Sequence, residues 1–387
     1  MRRVMKVLGR VLVVFIAVAL ALGLYMREEI VRLLAVNTLF EAESIVENFS
    51  NMDRAFLTAP VPRGTGPASP LPEGDAADLP PQVAGWIEDR AVTSLLVLHD
   101  GRIVHESYHL GTAQGDRRIS WSVAKSFLSA LLGTLVADGT IPDLDAPVTE
   151  HAPMLVGSAY DGATIRNVLQ MASGVRFDED YLDYDSDINR MGREIALGGT
   201  LDGFAAGLTD TDRPPGQAWR YVSMDTHVIG MVIRGATGRD IPSLMSERII
   251  GPLGLDATPY YLTDGEGVAF VLGGLNITTR DYARMGMMML RNGAWNGRQI
   301  VPADWVAQST VASAPTAPGA LGYGYQWWIP EGGEPGQVMA RGIYGQYVYV
   351  DRVNDVVIAT TGADRRFRED GVHEENMRVF RAIAESL

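Results

Sequence analysis

The sequence predicts an α+β fold: an antiparallel sheet assembled from both chain ends and flanked by helices, with a helical subdomain between them and a membrane helix at the N-terminus. Three observations predict it. β-favouring runs occur near residue 95 and again beyond residue 323, helix-length segments fill the long middle, and the alternating βαβ pattern of a doubly wound sheet is missing. A chain of 387 residues with 47% hydrophobic and 21% charged residues has the size and composition of a globular protein of one large domain or two ordinary ones.

In chain order, residues 1–26 come first, with Arg2, Arg3, Lys6 and Arg10, no acid, and the apolar run Val11–Met26. That pattern marks an export signal or a short anchor. Helical spacing continues through residues 27–57 (Ile30, Leu33, Leu34, Leu39, Ile45, Val46, Phe49), which favours an uncleaved signal anchor over a cleaved signal peptide. The positive-inside rule then places the rest in an extracytoplasmic (periplasmic or extracellular) compartment, whether membrane-anchored or secreted after cleavage. Residues 58–82 hold seven of the 20 prolines and read as an extended linker ahead of a domain spanning 83–387.

Within that domain, Ser94–His99 and Ile103–Leu110 flank Asp100-Gly101, a hairpin turn. The segment after Ser122 carries Phe127, Leu131, Leu132, Leu135 and Val136 at the spacing of a buried helix. Asp240–Ile250 and Thr279–Asn292 read as helices of the insert. Tyr323–Ile329, Tyr347–Asp351 and Asp355–Thr361 read as returning strands, and Glu374–Leu387 as a closing helix.

Composition removes several chemistries. There is no cysteine, hence no disulfide scaffold, thiol nucleophile or thiolate metal site. A net charge of −14 argues against nucleic acid as a partner. Only two of the 33 cationic residues are lysine, Lys6 and Lys125, and Lys125 lies in Ser122-Val-Ala-Lys125. Ser122, Lys125 and Ser129 share one stripe of the helix, which places an amine one turn beyond a hydroxyl. A desolvated lysine can lose its proton and act as a base, whereas arginine keeps its charge. A chain that otherwise writes its cations as arginine therefore points to Ser122 and Lys125 as nucleophile and proton partner. Tyr221-Val-Ser223, after the Pro214-Pro-Gly216 turn, supplies a tyrosine whose pKa a nearby ammonium would lower, suiting it to relay protons.

These segments, with Thr164–Gly174, Ile250–Gly254, Gly273–Thr278 and Tyr323–Trp328 in the same order, resemble the serine β-lactamase and penicillin-binding superfamily over about residues 83–387. The resemblance implies a β-lactamase/transpeptidase-like fold in which Ser122 is acylated, Lys125 is its proton partner and Tyr221 serves the leaving group. Two departures narrow it. Tyr-x-Ser stands where class C enzymes carry Tyr-x-Asn, and Lys-Thr-Gly is replaced by Ala340-Arg-Gly-Ile-Tyr-Gly-Gln-Tyr347. Both look most like the 6-aminohexanoate-dimer hydrolases and their carboxylesterase relatives. By that likeness the backbone amides of Ser122 and Ile343 form the oxyanion hole, and Tyr181, Asp187, Ser223 and Gly342 meet substrate. The acidic stretch Asp178–Asp187 would attract a cationic amine.

The expected activity is hydrolysis of an ester or amide through an acyl-enzyme, with a small-molecule or short-peptide substrate and no cofactor or metal. A D-amino-acid peptidase or cell-wall peptide hydrolase and a non-catalytic sensor of peptides or cell-wall fragments are the alternatives, and β-lactamase activity is disfavoured. His105-Glu-Ser-Tyr-His109 matches the zinc-protease pattern, but a strand there separates the histidines by about 13 Å. Asp183, Asp185 and Asp187 resemble a calcium loop that lacks its glycine, with Ile188 in that place.

Overall fold

The computed structural model describes residues 2–387. A seven-stranded antiparallel sheet forms its centre: β1 (Val92–His99), β2 (Arg102–Tyr108), β3 (Gly322–Tyr323), β4 (Trp328–Ile329), β5 (Gln337–Gly342), β6 (Gln346–Asp351) and β7 (Val356–Gly362). Their order across the sheet is β2-β1-β7-β6-β5-β4-β3, so the two chain ends meet where β1 pairs with β7. The hairpin turns on Asp100 (φ 49°) and Gly101 (φ 75°), as its sequence demands.

Side chains of the central strands alternate between two cores. Leu96, Leu98, Val348 and Val357 face the large core, while Leu95, Val97, Tyr349 and Ile358 face a smaller one closed by Phe380 and Trp86. Both faces are thus covered, and β1 reads as a nearly unbroken buried run. Helix α6 (Thr279–Leu290) lies close against the sheet because Gly286 has no side chain; a Cβ there would come 2.5 Å from Val357.

Six further helices bear on the site: α1 (Arg2–Tyr25), α2 (Arg27–Thr38), α3 (Val123–Ala137), α4 (Asp187–Ala196), α5 (Ser223–Thr237) and α7 (Val372–Glu385). Helix α3 is buried almost all round and runs through the large core. Helix α1 is long and apolar enough to cross a membrane, and its apolar stretch Val4–Tyr25 has no buried part.

Three expectations need revision. Tyr323–Ile329 is not one strand: Gln326, at φ 63°, turns the chain so that β3 and β4 pair with each other. That turn is held from within, since the Gln326 amide donates to Leu169 O (2.7 Å) and accepts from Thr226 (2.7 Å). β5 has no counterpart among the predicted strands. Finally, the segment read as a linker is extended but docked. Thr58–Pro60 pairs with Tyr260–Leu262, Ser69 O accepts two hydrogen bonds from buried Arg284, and Gly74 and Ala77 hydrogen-bond to β2. Ahead of it, Leu39, Ile45, Phe49 and Met52 are buried in the large core.

Candidate active site

Ser122 caps α3 and lies where the short strand Arg118–Ile119 hands the chain to the helix. The preceding Trp121 is left-handed (φ 45°), a conformation that costs a bulky residue about 1–3 kcal/mol and persists only when its surroundings hold it. Its ring is held by Phe49 and Phe40, at 5.4 and 5.7 Å between ring centroids.

Lys125 follows one turn later with 1% of its surface exposed. Its Nζ donates to Leu272 O at 2.7 Å and lies 3.4 Å from Ser223 Oγ. Burial pushes the ammonium down to about 7, against the upward pull of the Glu179 and Asp225 carboxylates. The apolar helix that the sequence wrote around Lys125 is therefore the cause of its altered acidity.

Tyr221 stacks on Trp328 (5.5 Å between centroids, 23° between planes), and Lys125 Nζ stands 5.6 Å from its ring centre. The expected lowering of its pKa is not found. Burial and then Glu179 raise it, with smaller downward pulls from the Ser122 hydroxyl, Arg341 and the Ser223 hydroxyl. The physical reason is that a buried phenolate would lose its hydration and face the Glu179 carboxylate. Tyr221 is a neutral O–H beside Ser122.

Ser223 opens α5. Its N–H donates to Glu179 Oε1, and its Oγ lies 3.2 Å from Glu179 Oε2. Tyr181 donates to the same carboxylate at 2.8 Å. Burial raises the Glu179 pKa, countered chiefly by Lys125. Beneath them Asp225 is fully buried, accepts from Ser173 (2.7 Å) and Tyr160 (2.9 Å), and is pushed up by burial to about 8.

Gly342 ends β5 against the start of α3. A Cβ there would fall 2.6 Å from Ser120 O and 3.2 Å from Ser122 N, so only glycine permits this close approach of β5 to the start of α3. Tyr344, next in the chain, is left-handed at φ 61° and stacks on Phe40 at 5.0 Å. Among the described residues the N–H groups of Ser122 and Ile343 donate to no acceptor in a turn or loop.

The structure thus brings together Ser122, Lys125, Tyr221, Ser223, Gly342, Ile343 and Tyr181. It leaves Asp187 out. That carboxylate accepts from Asp178 N (2.9 Å) and pairs with Arg190 (2.9 Å) at the start of α4, where it closes the acidic loop on itself. Glu179 occupies the place facing the site. Six carboxylates in ten residues gave no periodicity by which to choose it, and Asp225, two residues beyond Ser223, carried no motif. His105 and His109 lie along β2 and its end, both facing Ser107 at 3.0 Å. Among the described residues no cluster of three or more His, Asp or Glu is placed to hold a metal.

Two cavities meet at Ser122 and Ile343. One is an open cleft of about 420 Å³ with Tyr221, Arg341, Glu179 and His373 on its walls. The other is a narrow apolar cavity of about 100 Å³ between α2 and α4.

A buried S-x-x-K pair, a tyrosine hydroxyl and a glycine-backed amide pair on this sheet define a class of protein, the serine hydrolases of the β-lactamase-related superfamily. The Beta-lactamase family profile matches residues 84–378. A 6-aminohexanoate-dimer hydrolase of Paenarthrobacter ureafaciens is 32% identical over 327 residues, covering 80% of this chain and 83% of that protein. The chain belongs to the β-lactamase family and is related within it to the 6-aminohexanoate-dimer hydrolases. Among solved structures, a Bacillus anthracis protein named after the same hydrolases superposes with a TM-score of 0.80 at 23% identity, over 90% of this chain and 95% of that one. A hydrolase with promiscuous acyltransferase activity reaches 0.60 at 17% identity, over 78% and 95%. At those identities the two structures speak for the fold alone.

Proposed function

We propose that the protein is an esterase or amidase whose acyl-enzyme forms on Ser122. Lys125, as the neutral amine, accepts the Ser122 proton as Oγ bonds to the substrate carbonyl carbon. The amides of Ser122 and Ile343 hold the resulting oxyanion. Tyr221 passes a proton to the departing alcohol or amine as the old C–O or C–N bond breaks, and is reprotonated through Lys125. Water then adds to the ester carbon, giving its proton to the same pair, and releases the acid and Ser122. Ser223 holds Lys125 in line, with Tyr181, Glu179 and Gly342 shaping the site.

The observation that carries this reading is the near-complete burial of Lys125 one turn beyond Ser122, with its pKa brought to about 7. Anchoring is part of the proposal: the exposed apolar helix of mean hydropathy 2.6 holds residues 27–387 outside the cytoplasm. A second reading, D-amino-acid peptidase, is favoured by a D-aminopeptidase of Cereibacter sphaeroides that is 31% identical over 147 residues, though that stretch is 36% of this chain and 26% of that protein.

A hydrolysis panel separates them: a nitrophenyl ester, an aminohexanoate dimer, a D-alanyl amide and a chromogenic cephalosporin. The nitrophenyl ester should turn over faster than the D-alanyl amide. Faster turnover of the D-alanyl amide would favour the peptidase, and rapid cephalosporin turnover would contradict the significance given to the missing Lys-Thr-Gly.

A further inference from the structure

The two cavities at Ser122 differ in one respect that bears on what binds where. Ser122 and Ile343 line both, but Tyr221 lines only the open cleft. A group that protonates the leaving alcohol or amine must lie beside it, so the leaving group departs through the open cleft. The acyl half of the substrate is left with the narrow cavity.

Every residue around that narrow cavity is uncharged. One wall comes from the segment after α1, with Val36, Phe40 and Phe56. The facing wall is Ile188, Met191 and Ile195 of α4, and Arg32 ties the two by donating to Ala196 O at 3.1 Å. No carboxylate lies there to meet an ammonium group, and transferring an unpaired ammonium into such a site is strongly unfavourable. The acidic side chains near Ser122, Glu179 among them, stand in the other cleft. Helix α2 follows α1 after Met26, so roughly 16 Å of helix, at 1.5 Å per residue, separates Tyr25 from Val36. With α1 in a bilayer, Val36 would stand within about 16 Å of the membrane surface.

We infer that this cavity is the acyl site, and that it takes an uncharged, extended apolar acyl chain, with the segment between α1 and the catalytic body as its outer wall. The inference rests on the hydrolase reading above and names its substrate class: esters or amides of medium-chain apolar acids, in preference to acetyl or ω-aminoacyl compounds.

The test uses the full chain in detergent and nitrophenyl esters that share one leaving group: acetate, hexanoate, octanoate and 6-aminohexanoate. The octanoate should exceed the acetate in kcat/KM by about tenfold or more, and the hexanoate should exceed the 6-aminohexanoate by a similar factor. Two variants fill the cavity from opposite walls, Val36→Trp and Gly192→Leu; a Cβ on Gly192 meets nothing within 4 Å. Each should reduce the octanoate-to-acetate ratio by about tenfold. Fluorophosphonate labelling of each variant verifies that it is folded with a competent nucleophile. A flat or falling chain-length series, a preference for the 6-aminohexanoate, or a ratio untouched by both variants overturns the inference while labelling persists. Absence of labelling in the folded wild type refutes the hydrolase reading instead.

Discussion

Lys125 has 1% of its surface exposed, and its nearest partners are a carbonyl and a hydroxyl rather than a carboxylate. Its amine therefore loses its proton near neutrality. The sign follows directly: kcat/KM should rise as pH increases through about 7 and then level off, because the neutral amine is the active form. The unfolded chain keeps that proton to near its usual 10.5, so this group also makes folded stability rise between pH 7 and 10.5. Lys125→Arg should lower kcat by roughly 10²–10⁴ and remove the inflection near 7, since a guanidinium stays charged. A profile that keeps its inflection in the variant would assign the titration elsewhere. The scarcity of lysine and the S-x-x-K spacing together singled out this residue. The apolar helix period already implied its burial, whereas the rise rather than fall of the Tyr221 pKa depends on burial and on Glu179, which no motif marked.

At the scale of elements, the site depends on how two segments approach each other. The end of β5 reaches the start of α3 because Gly342 has no Cβ. Gly342→Ala should push the strand from Ser120 O and Ser122 N, misplacing the Ile343 amide. Loss of this proposed oxyanion donor predicts a fall of about 10²–10³ in kcat with KM changed far less, read by steady-state kinetics. On the other side, Phe40 and Phe49 pack on Trp121 and Tyr344, the left-handed residues that flank Ser122 and Ile343. Phe49 is fully buried, so Phe49→Ala should cost about 3–5 kcal/mol of stability by denaturant unfolding and also lower activity by loosening both turns. An unchanged midpoint would mean that the segment is not part of the cooperative core. The hairpin of β1 and β2 and the S-x-x-K helix were legible because turn residues and hydrophobic period agree there. β5 was not, because Gln337-Val-Met-Ala-Arg-Gly342 carries no alternation; its partners β4 and β6 define it.

For the whole molecule, the antiparallel sheet joining both chain ends and the helical middle were readable from the order of runs along the chain. The boundaries were less so. Proline content marked residues 58–82 as extended, but extended chain can dock as well as dangle, and here it pairs with Tyr260–Leu262 and with Arg284. Removal of residues 1–26 should therefore leave a folded, water-soluble enzyme, because Val4–Tyr25 buries nothing in the body. Removal of residues 1–57 should yield aggregated protein, since Leu39, Ile45, Phe49 and Met52 leave the core with it. Size-exclusion chromatography of the two truncations distinguishes these outcomes, and a monodisperse, active shorter form would contradict the docking.

The central claim is that Ser122 is acylated. Its most direct measurement is intact-mass and peptide-level mass spectrometry of the full chain after reaction with a fluorophosphonate. One adduct on the peptide containing Ser122, lost in Ser122→Ala and slowed in Lys125→Arg, is the predicted result. A folded wild type that takes no adduct, or takes it on another residue, would contradict the account.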